Sequence, residues 1–370
     1  MKKIKIVHIQ LLPLLSGVQN VMLAILKSLD KDKYDIYVIS KPSGPLVDKI
    51  EELNYKFIPL RSLKRSISLM DIVALIELIR IFKKSKFDIV HTHSSKPGFI
   101  GRIAARIAGV PKIVHTVHGF PFHPYQNKFV MNFYKSMEKF ASLFCDKVVF
   151  VNNSERETAI VDHLIQPQKV ITIYNGIELP KKEIQKKRKS NKLIIGSCLR
   201  FWKQKNIIET IDGAIRVCKE NENIKFVFVG DGELYKVVKK MVYDSGLIDR
   251  IQLPGWQKNV TEWLQNFDVF LLYSKWEGLP LSILEAMSHG LPIVASDIKG
   301  NNELVSETNG ILVPINDIDR LTAVLLSLPD KKEMLKEMGE NSRKLIKEKF
   351  DIMDFVRKYK NVYEQEYNLK

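Results

Sequence analysis

Three cysteines in 370 residues, Cys145, Cys198 and Cys218, with no CxxC pair among them, give no disulfide framework and suit a reducing compartment. No apolar run reaches the ~18 residues a membrane-spanning helix needs; the nearest, Ile72 to Phe82, is broken by Glu77 and Arg80. Lys2-Lys3 and the apolar stretch behind them imitate an export signal, but His8 and Gln10 interrupt it and no small-residue cleavage site follows. The expectation is a cytoplasmic chain. Low-complexity tracts are missing too, and 45% hydrophobic with 27% charged residues is the composition of a folded globular protein. The dinucleotide fingerprint is incomplete: Gly230 and Gly232 follow a strand pattern, but Tyr235 stands where a third glycine belongs. That argues against a dinucleotide oxidoreductase.

Positive charge is in excess. The formal net charge is +16, with about +11 in residues 1–180, about +6 in 181–192 and about −1 in 193–370. The asymmetry suits contact with something anionic, such as nucleic acid, a lipid headgroup or a pyrophosphate, although solvated lysines on helix faces would produce it as well.

The length exceeds the roughly 250–300 residues at which single cores stop growing, so two domains are expected. Short β-branched runs, Lys5 to Ile9, Ile36 to Ile39, Phe57 to Leu60, Asp88 to Thr92, Lys112 to Thr116 and Lys147 to Val151, alternate with helical spacing over 18–29, 68–84, 98–109, 128–144 and 153–164. Pro180 to Asn191 is nearly devoid of apolar residues and reads as a basic linker. A second set follows: strands Leu193 to Cys198, Lys225 to Val229, Val269 to Leu272 and Pro292 to Ala295, with helices near 205–219, 233–244, 257–266 and 281–290. Such alternation predicts α/β architecture, two doubly wound Rossmann-like domains facing across a cleft, with ligands at the carboxyl ends of the strands. The expected boundaries are 1–179, a linker 180–191, 192–350, and a C-terminal helix over 351–370 that packs either on its own domain or on the first.

The most informative stretch is Asp268 to Glu303. A strand ends near Leu272, a loop carries Trp276-Glu277-Gly278-Leu279-Pro280, and a helix begins near Leu281 with Glu285 in its first turns. Unpaired N–H groups and the positive end of the helix dipole make such a start an anion site. Gly278 lets the backbone approach a ligand, and Pro280 suits the first helical position. A carboxylate beside an anion makes sense if it faces hydroxyls, so Glu277 is expected to hold a sugar and Glu285 a ribose. A solvated loop glutamate and a helix-dipole glutamate are the plainer alternative.

Glu277-Gly278-Leu279-Pro280, Glu285-Ala286-Met287 and Gly290-Leu291-Pro292-Ile293-Val294-Ala295 resemble the E-x7-E signature of the retaining GT4 family of GT-B glycosyltransferases. The resemblance covers nearly the whole chain. Its other stations stand in order: Ser16-Gly17-Val18, His118-Gly119-Phe120, Asn175-Gly176-Ile177, Arg200 with Lys205-Asn206, Gly230-Asp231-Gly232, and Gly255. It implies that Arg200 and Lys205 clamp the donor pyrophosphate, and that Gly17 meets a donor phosphate through its backbone, here in Ser-Gly rather than Gly-Gly. It also implies that His118 lies beside the reacting sugar, that Gly278, Leu279, Pro280 and Leu281 belong to the donor site, and that the anomeric configuration is retained. Two cations at the pyrophosphate would replace a metal, and no DxD lies on a suitable loop: Asp30 and Asp32 sit in a turn, Asp317 and Asp319 at a helix start. No metal and no cofactor are expected. His91, His93, His115 and His123, near the sheet rims, lack metal-site spacing and read as structural or supporting groups.

His91-Thr92-His93-Ser94-Ser95-Lys96 and His115-Thr116-Val117-His118-Gly119-Phe120 look like bacterial enzymes that build surface polysaccharide or O-antigen units on undecaprenyl diphosphate. The resemblance implies a UDP-sugar donor, a lipid-linked saccharide acceptor, and no nucleic acid. A nucleotide-sugar epimerase of the same shape, without an acceptor, is the alternative, and a non-enzymatic binding module would leave the glutamate loop unexplained. Arg61, Lys64, Arg65, Lys83, Lys84 and Lys86 flank Leu69, Ile72, Leu75, Ile76, Ile79 and Phe82, and 128–144 forms a second aromatic-basic helix. With these the N-terminal domain is expected to lie against an anionic membrane face to reach a lipid-linked acceptor, unless the apolar positions simply pack into the core.

Overall fold

The computed structural model describes residues 3–64, 66–123, 125–180 and 192–364. Of the linker expected over 180–191, all but Pro180 lies outside the described residues. The chain divides into two compact units, Met1–Gly176 with Met353–Lys370, and Ile177–Ile352.

In the first unit, strands β1 (Ile4–Ile9), β2 (Tyr34–Ser40), β3 (Lys56–Pro59), β4 (Ile89–His93), β5 (Lys112–Val117), β6 (Lys147–Phe150) and β7 (Val170–Thr172) form one sheet ordered β3-β2-β1-β4-β5-β6-β7. All pairings are parallel, and His8 on β1 stands opposite His91 on β4. The strand order reverses between β1 and β4, which makes their carboxyl ends the topological switch point, where sheets of this kind hold ligands. Helices α1 (Gly17–Ser28), α2 (Pro45–Glu52), α3 (Met70–Ser85), α4 (Ser95–Ile107), α5 (Lys128–Ser142) and α6 (Asn153–Val161) are the crossovers. β4 and β5 are buried along their whole length, as strands covered on both faces must be.

The second unit repeats the plan. Strands β8 (Leu193–Cys198), β9 (Ile224–Val229), β10 (Ile251–Gly255), β11 (Val269–Leu272), β12 (Ile293–Ser296) and β13 (Gly310–Val313) are ordered β10-β9-β8-β11-β12-β13, with the switch point between β8 and β11. The helices are α7 (Ile207–Glu220), α8 (Tyr235–Asp244), α9 (Thr261–Leu264), α10 (Leu281–Ser288), α11 (Ile318–Ser327) and α12 (Lys332–Lys349). The helix expected over 257–266 is a single turn, because the Asn259 side chain accepts the Thr261 N–H and starts the helix late. A break at Phe350-Asp351, where Ile177 N–H donates to the Phe350 carbonyl, separates α12 from the last helix, α13 (Ile352–Glu364). Helix α13 buries Phe355, Val356, Tyr359, Val362 and Tyr363, and Met353 onward is part of the first unit.

Helices α3 and α5 divide the apolar residues expected at a membrane. Phe82 is buried in the first unit's core, and Leu75 and Ile79 pack against it, whereas Leu69 (85% exposed), Ile72 and Ile76 face outward. On α5, Phe129 is 86% exposed, and Val130, Phe133 and Phe140 are exposed as well. The inner face of α5 is fixed by Glu138, whose carboxylate pairs with the buried Arg102 guanidinium of α4 through two hydrogen bonds of 2.8 and 3.0 Å. Two parallel bonds from a planar guanidinium give this pair a fixed geometry. No helix of the described residues is long and apolar enough to cross a membrane.

Candidate active site

The second unit's switch point carries the charged residues. β8 ends at Cys198, and the chain continues through Leu199 to Arg200, whose guanidinium lies 3.5 Å from the centroid of the Trp202 ring. Gly230 holds this turn in place. Its φ of +146° excludes side chains, and a Cβ there would sit 1.8 Å from the Leu199 carbonyl oxygen. Lys205 follows in a one-turn 3-10 helix, Lys203–Lys205.

Opposite, β11 leads into the loop 273–280. Gln204 ties the two segments together: it accepts the Lys275 N–H at 2.8 Å through its backbone and donates at 2.9 Å from Nε2 to the Trp276 carbonyl. The tie brings Lys205 Nζ to 2.5 Å from Glu277 Oε1, and the Glu277 side chain is only 6% exposed. Gly300 supports the loop from below. At φ +90°, a Cβ on it would fall 2.2 Å from the Gly278 carbonyl oxygen and 2.9 Å from that of Glu277.

Helix α10 starts one residue later than a proline at the first helical position would give. Pro280 is the N-cap, with φ −71° and ψ 113°, and its carbonyl accepts the Ile283 N–H at 3.1 Å. The unsatisfied N–H groups are therefore those of Leu281 and Ser282, since Pro280 has none to offer. Leu279 and Pro280 are buried, so they can meet a ligand only through the backbone. Glu285 lies one turn further on and largely buried, and this burial pushes its carboxyl up to about 7. Among the described residues no hydrogen bond or ion pair reaches its carboxylate. The neighbouring Cys198 thiol is pushed up by burial and by that carboxylate.

Gly17 and His118 belong to the first unit. Gly17 is exposed and opens α1 behind Ser16, so the first N–H groups of a 12-residue helix stand at the end of the β1 loop. His118 follows β5, and its Nε2 is 3.0 Å from His93 Nδ1. The turn behind it is held by Glu155, which accepts the Phe120 N–H at 2.8 Å. His91 and His93 are fully buried, and the unforeseen His8, which in the sequence only broke an apolar run, joins them. His115 points elsewhere, to the Thr92 hydroxyl at 2.9 Å, and Gly98 is the residue that makes room for its ring. His123 lies outside this cluster.

The structure therefore joins Lys205 to Glu277, sets Arg200 and Glu285 at the same switch point, and gathers His118 with His91 and His93. Sequence reasoning missed Gln204, Gly300 and His8. Gly300 alone left a trace, as a glycine inside the informative stretch.

A family model for glycosyl transferases group 1 matches residues 180–345, and one for glycosyltransferase family 4 matches residues 15–181. The chain is 42% identical to a UDP-Gal:alpha-D-GlcNAc-diphosphoundecaprenol alpha-1,3-galactosyltransferase of Escherichia coli, over 98% of this chain and 97% of that one. It is 24% identical to the capsular polysaccharide biosynthesis glycosyltransferase CapM of Staphylococcus aureus, over 98% and 97% of the two chains. Among solved structures, HepE of Anabaena in complex with UDP and glucose superposes with a TM-score of 0.82 at 17% identity, covering 98% of this chain and all of that one. Its likeness shows the fold. With two Rossmann-like sheets, a charged switch point in the second, and family matches that between them run from residue 15 to 345, the chain belongs to the group 1, family 4 glycosyltransferases of the GT-B fold.

Proposed function

We propose that this glycosyltransferase moves a hexose, with galactose the first candidate, from a UDP-sugar to a saccharide carried on undecaprenyl diphosphate, with retention at the anomeric carbon. The observation that carries the reading is Glu285, a mostly buried carboxylate with no hydrogen-bond or ion-pair partner among the described residues, one turn into α10. A ribose diol would supply its two missing donors. The full-length similarity to the galactosyltransferase supports donor and acceptor together.

In this reading Arg200 and Lys205 bind the pyrophosphate, with the N–H groups of Leu281 and Ser282 and the backbone of Gly278, Leu279 and Pro280 completing the donor site. Gly17, through the start of α1, meets the distal phosphate. Lys205 has three protons, so it can keep Glu277 and a phosphate oxygen at once, and it thereby aims Glu277 at the sugar hydroxyls. The bond between the anomeric carbon and the phosphate oxygen breaks, the acceptor hydroxyl attacks from the same face, and its proton passes to the leaving phosphate. The cations gain most as charge builds on that phosphate, and His118 faces the positive charge on the sugar.

The acceptor would be met at an anionic bilayer surface by the outward faces of α3 and α5, which expose Leu69, Ile72, Phe129 and Phe133 on helices that also carry Lys83, Lys84, Lys128 and Lys139. Each cation near such a surface contributes about 1 kcal/mol. Flotation with anionic vesicles should decline with salt and be lost when Lys64, Lys83 and Lys84 are changed to glutamate; equal flotation of both proteins would remove the membrane contact. For the reaction itself, UDP-galactose, UDP-glucose and UDP-N-acetylglucosamine are each offered with and without GlcNAc-diphosphate-lipid. Transfer to the lipid is expected, and a rearranged free sugar formed without acceptor would replace this reading with an epimerase.

A further inference from the structure

A single hydrogen-bonded chain runs through the first unit's switch point into the last helix. From His118 Nε2 it passes at 3.0 Å to His93 Nδ1, and from His93 Nε2 at 2.9 Å to His8 Nδ1. His8 Nε2 lies 3.4 Å from the Tyr363 hydroxyl, which is 2.7 Å from His91 Nδ1. His91 Nε2 meets the Thr116 hydroxyl at 2.8 Å, and that hydroxyl meets Tyr359 at 3.1 Å. The rings are close-packed, with centroids of His91 and His93 4.2 Å apart and those of His8 and His91 4.6 Å apart. Three rings this close could hold a cation, but all six nitrogens of His8, His91 and His93 are already engaged.

Burial keeps the members neutral: His8 and His118 are each pushed down to about 3, and His91 and His93 are held well below the usual imidazole range, mainly by desolvation. A neutral imidazole donates from one nitrogen and accepts at the other, so all rings in such a series must point the same way. One reversed ring would set two N–H groups, or two lone pairs, face to face where no water can relieve them. The chain therefore has two ordered states, and a hydroxyl chooses between them. Tyr363 has a single proton, and the 2.7 Å contact to His91 Nδ1 is the stronger place for it; its oxygen then faces His8 Nε2 at 3.4 Å, a weak contact that only an N–H of His8 makes favourable. With that choice made, His93 donates to His8 and His118 donates to His93.

We propose that Tyr363, acting through His8 and His93, is a positioning residue that fixes the proton of His118 on Nε2, so that its Nδ1 is an acceptor available to the donor sugar. The proposal rests on the reading above that His118 lies beside the reacting sugar. It gives the final helix a part in the chemistry: without the Tyr363 hydroxyl the chain of imidazoles has no direction.

Two-bond nitrogen–proton correlation spectra of histidine-labelled protein report each tautomer directly. In the unmodified protein His118 should carry its proton on Nε2; a proton on Nδ1 overturns the proposal without any variant. In Tyr363→Phe, which removes one oxygen, His118 should become a mixture of both tautomers. Its kcat should fall about tenfold while KM for the UDP-sugar stays within about twofold. Tyr359→Phe, which removes a hydroxyl bonded among the described residues only to Thr116, should leave the His118 signals in place. A Tyr363→Phe protein whose His118 keeps one tautomer, or a Co2+ titration giving a ligand-field spectrum that His8→Ala abolishes, would overturn it. Full activity of His118→Ala would instead remove the reading beneath it, and the tautomer result would stand on its own.

Discussion

At the first sheet's switch point, between β1 and β4, the side chains are imidazoles and phenols held neutral by burial. At the second sheet's, between β8 and β11, they are Arg200, Lys205, Glu277 and Glu285. The backbone plan is the same, so the difference is one of side-chain chemistry. Neutral groups order one another through the direction of their hydrogen bonds, which neither salt nor pH near 7 disturbs. Ions order one another by charge and rearrange when a charged ligand arrives. A fold used twice in one chain thus provides one rim that keeps its arrangement and one whose charges, in the proposed reading, answer to phosphate.

The comparison is broken most directly at the ion pair. Lys205→Ala leaves Glu277 enclosed without its counter-charge, so UDP binding should weaken by about 1.5–3 kcal/mol, and turnover should fall by about 10²–10³, with Arg200→Ala less severe. Isothermal titration with UDP and a transfer assay measure both. An unchanged double variant, or loss of wild-type activity in EDTA, would take the phosphate role from these cations.

Acid sharpens the contrast through stability. Each buried histidine is lowered relative to the unfolded chain, so its contribution is present above about 6.5 and lost as pH falls, at about 1.4 kcal/mol per pH unit per histidine. Glu285 has the opposite sign: raised to about 7, it contributes below its ordinary carboxylate range and loses that contribution as pH rises through 7. Hydrogen exchange between pH 4 and 8 should therefore show β4 and β5 opening in acid while α10 does not. Simultaneous opening of both would mean that the histidines do not govern the first unit.

Gly300→Ala tests the floor of the charged loop. The added carbon cannot fit beside the Gly278 carbonyl, so a loss of about 1–3 kcal/mol in thermal unfolding should come with weakened UDP binding. Stability lost with UDP affinity kept would separate the floor from the site. The smallest effect is Glu285→Gln, which should lower UDP affinity about tenfold at pH 8 and flatten its decline below pH 7, since the proposed ribose partner no longer titrates. Glu277→Gln should spare UDP and slow transfer. Equal loss of UDP affinity in both would exchange their roles.

The central strands were legible because both their faces are buried, which writes them as continuous β-branched runs; all ten expected strands lie within two residues of those observed. The three unforeseen ones, β7, β10 and β13, are all sheet edges, short and partly exposed, where burial imposes little pattern. The glutamate loop was legible because glycine, proline and two carboxylates are close in sequence. Gln204 and Gly300 were not, since their work is to hold a loop about 70 and 20 residues away, in contacts no local motif records. His8 and Tyr363 were less so still, at a separation of 355 residues.

That separation also orders events in time. Strands β1 to β7 leave the ribosome first, but the helix that covers His8 and His91 follows only after Ile177–Ile352 has been made. At ordinary rates of synthesis that interval is about 10–35 s, during which the sheet waits with its histidine rim uncovered. The nascent first unit is thus open to water and chaperones until Ile352–Glu364 has been made, and its imidazoles acquire their buried, neutral state only once that helix has docked.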